Sequence, residues 1–106
     1  MPDMSLSTRG ERWIYYNFNR VSSSIKVWRT ALDNIGLQHL ELPEINMSIM
    51  ECVVVLDADT LDGKEDELEQ QMANKVEQNE IQHLTVTVYD GVKSDGTLRC
   101  VYCKEY

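Results

Sequence analysis

The chain has 106 residues, 42% hydrophobic and 26% charged, a globular composition that excludes a disordered chain and a length that favours one domain with a modest core. No apolar run approaches the roughly 20 residues of a membrane helix, and the opening MPDMSLSTRGER has no apolar export segment, so a cytoplasmic protein is expected. Eighteen acids against ten bases give a net charge of −8, a field that repels phosphate backbones and argues against direct nucleic-acid binding.

Residues 1–10 carry no periodicity and read as a mobile tail ahead of a single α+β domain over 11–106. The segment from Arg12 to Phe18 is rich in aromatic and β-branched types and predicts a strand, with Trp13, Tyr15 and Asn17 on one face and Ile14, Tyr16 and Phe18 on the other. Val21, Ile25, Trp28, Leu32 and Ile35 recur at helical spacing and predict an amphipathic helix that ends at Gly36.

Residues 37–42 predict a short strand stopped by Pro43. Residues 45–57 form a longer β-like run whose hydrophobic phase switches near Ile49 and Met50, which calls for a bulge or break there. A second helix follows, with Asp62 and Glu65 spaced as a capping box and Leu61, Leu68, Met72 and Val76 as its apolar stripe. His83 to Tyr89 alternates as a strand, residues 90–96 hold two Asp-Gly pairs, and residues 97–102 complete a closing hairpin.

The order β-α-β-β-α-β-β predicts a ferredoxin-like antiparallel sheet with two helices on one face and an extra C-terminal strand. Without the strand over 37–42, the alternative is a β-α-β-α-β-β sheet containing a parallel pair. Neither layout implies an activity.

The charge is unevenly spread. Residues 1–53 are close to neutral, whereas residues 57–69 hold seven acids against the single Lys64. Carboxylates set along a helix can neutralise the Lys and Arg of a partner and speed its approach. The candidate partner-binding residues are therefore Asp57, Asp59, Asp62, Glu65, Asp66 and Glu69. Glu65 and Glu69, four apart, share one helix face off the apolar stripe, so folding is expected to depend little on their charge.

Val53 to Leu61, a buried strand ending in Asp-x-Asp, resembles the first motif of haloacid-dehalogenase-type phosphatases over nine residues. It lacks the usual glycine after the second aspartate, and the chain has little room for the remaining motifs. Read as an EF-hand loop, the same acids carry one inserted residue before Asp62 and follow a strand instead of a helix. No metal or cofactor is expected.

Cys52, Cys100 and Cys103 are an odd set with no export signal, which points to reduced thiols. Cys100 and Cys103, three apart in a strand, are expected on opposite faces. His39 and His83 have no nucleophile at a telling distance, and the five glycines make no phosphate loop. The expected function is a non-enzymatic acidic module that occupies a basic protein surface, as inhibitors, immunity proteins and phage counter-defence proteins do. The alternative is a small-ligand-sensing or oligomer-forming regulatory domain, for which the open sheet face and terminal strand would supply a homodimer contact.

Overall fold

The computed structural model describes residues 12–41, 46–47 and 51–106. Among them run β1 (Arg12–Arg20), α1 (Ser24–Asn34), β2 (Asn46–Met47), β3 (Glu51–Asp57), a 3-10 turn (Ala58–Leu61), α2 (Glu65–Glu77), β4 (Ile81–Val92) and β5 (Leu98–Glu105). The strands make one antiparallel sheet in the order β2-β3-β1-β4-β5. The fold is thus α+β. The tail expected over 1–10 lies outside the described residues.

The period-two pattern of β1 is realised as read. Ile14, Tyr16 and Phe18 are buried, while Trp13, Tyr15 and Asn17 are half-buried on the opposite face. Pairing with both neighbours extends this pattern across the sheet. Leu56, Ile14 and Val88 lie abreast, as do Val54, Tyr16 and Val86, so each row buries one apolar layer under the helices. Trp28, Ala31 and Leu32 of α1 and Leu68 and Met72 of α2 close the same core from above. Both helices therefore cover one sheet face.

The stripe expected on α1 is corrected at its start. The helix begins at Ser24, and Val21 and Ile25 are 46% and 56% exposed. Its end follows from Gly36, whose φ of +85° suits a residue without Cβ. The Gly36 N–H donates to the Asp33 carbonyl and the Leu37 N–H to that of Leu32, the double bond of a Schellman motif. α2 ends the same way with Asn79 at φ +60°, the Asn79 N–H donating to Val76 and the Glu80 N–H to Lys75.

The strand expected over 37–42 is absent from Leu37 to Glu41, which run as turn and coil; Leu42 and Pro43 lie outside the described residues. The physical reason is Arg29. Its guanidinium donates to the carbonyls of Leu37 and Leu40 at 2.9 and 2.8 Å, which fixes this stretch against α1 instead of a ladder. The second strand is β2, pairing Asn46 with Val53 and Met47 with Cys52. The bulge or break read near Ile49 and Met50 lies outside the described residues.

β4 is longer than its alternating core suggested. One bulge against β1 holds His83 at φ +56°, and a second against β5 uses Asp90-Gly91. Asp95-Gly96 makes the hairpin turn, where the Asp95 carboxylate accepts from the Thr97 N–H and hydroxyl at 3.0 and 2.7 Å.

Candidate functional site

The acidic stretch divides by role once folded. Asp57 ends β3 opposite Trp13 and caps the 3-10 turn, its Oδ1 accepting from the Asp59 N–H at 3.0 Å. Asp62 does not cap α2, correcting the expected capping box. It closes the 3-10 turn in the left-handed conformation, and Lys64 occupies the position before α2 without a side-chain cap. The crowding of Glu65, Asp66 and Glu67 in the first turn of α2 supplies the favourable charge there instead.

Lys64, the only cation of the run, is directed inward. Its Nζ donates to the Ile35 carbonyl at 2.8 Å, a cation at the C-terminal end of α1. Asp59, Asp62, Asp66 and Glu67 are exposed, and among the described residues no cation pairs with them. Their field at the corner between the 3-10 turn and α2 is therefore uncompensated on the surface.

Glu65 and Glu69 face the sheet. Glu65 lies 3.8 Å from Nη1 of Arg12 on β1. Glu69, with its side chain 15% exposed, lies 2.9 Å from Lys104 Nζ. It also accepts from the hydroxyl of Tyr102, 2.9 Å from each carboxylate oxygen, and from that of Tyr106. Burial alone would raise the Glu69 carboxyl; the bonds from Tyr106, Lys104 and Tyr102 outweigh it and hold that carboxyl below its usual range. Glu69 is thus not a solvated carboxylate on an outer helix face but bonds α2 to the end of the chain, so its charge is expected to matter for folding.

That tie forms one wall of a cavity of about 270 Å³. Its floor is Ile14, Tyr16, Val86 and Val88. Glu65, Asp66 and Glu69 stand on the α2 side, and Val101, Tyr102 and Lys104 on the β5 side, with Arg12 at one end. Burial pushes the Tyr16 hydroxyl well above its ordinary range, and the charges of Glu69 and Glu65 push it further. The sequence pattern alone does not single out Tyr102, Lys104 and Tyr106; the one signal is their spacing of two, on β5 and just past its end, which puts them on a common face.

The structure also brings Cys100 and Cys103 to one face, against expectation. Cys100 pairs with Tyr89 and Cys103 with Thr87, and those partners, two apart in β4, point the same way. The bulge in β5 between them absorbs the extra residue. Both thiols are free and exposed, whereas Cys52 is in the core. His39 lies in the turn after α1 and His83 on the β4 bulge, both exposed.

With Asp57 engaged as a cap, millimolar Mg²⁺, Mn²⁺ or Ca²⁺ is expected to leave the melting temperature unchanged. A cation at about 100 times its dissociation constant would stabilise by ~2.7 kcal/mol, which a thermal scan resolves. A saturable rise, lost in Asp57→Asn, would establish a cation site at the end of β3. No described helix is long and apolar enough to cross a membrane. No protein-family model, curated protein or solved structure matches the chain.

Proposed function

We propose that the protein is a non-enzymatic binding module that docks on a basic surface of another protein through the corner whose outward carboxylates are Asp59, Asp62, Asp66 and Glu67; Asp57, engaged as a cap, and Glu65 and Glu69, turned to the sheet, lie behind that surface. The observation that carries this reading is the inward turn of Lys64, which leaves Asp59, Asp62, Asp66 and Glu67 exposed together. Uncompensated carboxylates on a rigid corner raise encounter rates with a cationic surface and select against anionic ones. The role fits an inhibitor, immunity protein or phage counter-defence protein. We read the sheet as a ferredoxin-like split βαβ with β5 added beside β4, supported by the order β2-β3-β1-β4-β5.

The test is a triple variant, Asp59→Asn with Asp62→Asn and Asp66→Asn. A partner captured by the wild-type chain should bind the variant about ten-fold or more weakly at low salt, with a flatter salt dependence. The variant's unfolding free energy should stay within about 1 kcal/mol of wild type, since each change is exposed. A partner that binds both chains equally fast and tightly would refute the reading. A second reading, an oligomer-forming or ligand-sensing regulatory domain, is favoured by one observation: β5 is an outer strand of the sheet and carries Val101 at 53% exposure.

A further inference from the structure

The cavity between α2 and β5 adjoins the acidic corner, and Asp66 belongs to both. It exists because two helices do not span the sheet. α2 packs on β4, and β5 lies beyond it, so Ile14, Val86 and Val88 line the gap from below. At about 270 Å³ it sits at the small end of ligand-sized pockets and has room for a single inserted side chain. An apolar floor inside a charged rim is the arrangement of an interface hot spot.

The charges of the rim select the occupant. Its two cations are engaged, Arg12 near Glu65 at 3.8 Å and Lys104 near Glu69 at 2.9 Å. Asp66 has no cation among the described residues; Glu67, next to it in the first turn of α2, and Asp62, four residues earlier at the end of the 3-10 turn, are exposed. A segment entering the cavity therefore meets an apolar floor and a negative flank.

We propose that this cavity seats one apolar side chain of a basic partner segment, with the segment's flanking Lys or Arg held against Asp66, Asp62 and Glu67. The proposal rests on the reading of the acidic corner as a docking surface, and adds the anchor that gives such a surface its grip. Electrostatics set the rate of approach, and desolvation of the anchor sets the lifetime.

The test titrates the ¹⁵N- and methyl-labelled full chain with three capped pentapeptides, KKFKK, KKGKK and GSFSG, followed by NMR. KKFKK should bind about ten-fold or more tightly than KKGKK, from burial of one aromatic side chain. It should shift the methyls of Val86, Val88 and Val101 together with the amides of residues 59–67, and GSFSG should not saturate. Val101→Trp, at a half-exposed position on the cavity wall, should abolish the advantage of KKFKK over KKGKK. Equal affinities for the two basic peptides, with shifts confined to 59–67, would overturn the cavity and leave the acidic surface standing. No binding by either would overturn both. GSFSG binding as tightly as KKFKK, or shifts running along the outer amides of β5, would replace the proposal with a neutral ligand or an added strand.

Discussion

Trp28→Ala is expected to destabilise the protein by about 3–5 kcal/mol. Trp28 is fully buried, with its indole edge-on to Tyr16 at 5.0 Å and tilted against Phe18 at 6.3 Å. Truncation therefore removes the largest piece of the α1 face and opens a hole above the central strand, β1. One feature offsets part of the loss: the indole Nε1 has no hydrogen-bond partner among the described residues, and a buried unsatisfied donor costs about 1–3 kcal/mol. Trp28→Phe, which removes that N–H and keeps an aromatic ring, should cost well under half as much as Trp28→Ala. For a domain of this size each kcal/mol moves the melting temperature by about 4–8 °C, so Trp28→Ala should melt at least ~10 °C lower. A melting temperature within a degree or two of wild type would place Trp28 outside the core.

The burial of Trp28 was legible because helical spacing is a local signal, and so was the two-faced character of β1. What misled was also local. Val21 and Ile25 extended the apolar stripe but precede or open the helix, where the chain has not yet turned over the sheet. Leu37 and Leu40 looked like strand residues, yet their carbonyls are taken by Arg29, eight and eleven positions back. A guanidinium at that distance leaves no periodic trace. The same limit explains the acidic stretch. Its charge could be counted, but which carboxylates face outward depends on where Lys64, Arg12 and Lys104 reach. Lys64 reaches 29 residues back to Ile35, and Glu69 meets tyrosines 33 and 37 residues ahead. Cys100 and Cys103 show the remaining kind of error, a correct alternation rule defeated by one bulge whose position depends on the partner strand.

Glu69→Ala is expected to cost about 2–3 kcal/mol, by loss of a largely buried carboxylate that accepts from two phenols and an ammonium. Hydrogen bonds to a charged group contribute roughly 1.5–3 kcal/mol each, discounted here because Lys104 and Tyr106 are themselves half-exposed or nearly so. The effect should be local first. With the tie gone, amides of β5 should exchange faster than those of β1, because β5 is an outer strand with one neighbour. Dependence on pH separates the charge from simple packing. Glu69 is held below its ordinary value of 4.5 in the folded chain, so the unfolded state binds more protons across the window beneath that value. Its contribution is complete above about pH 4.5 and is lost as pH falls through the folded pKa. The difference in stability between wild type and Glu69→Ala should therefore shrink on acidification. On the alkaline side, burial and then the bond to Glu69 push Tyr106 up to about 12. The part that depends on its neutral phenol should hold below pH 10 and fade as pH rises towards 12. Glu69→Gln, which keeps the shape without the charge, should lose the acidic slope while retaining part of the stability. A pH-independent difference between wild type and Glu69→Ala would mean that the side chain acts by packing alone and that β5 is held by its ladder with β4.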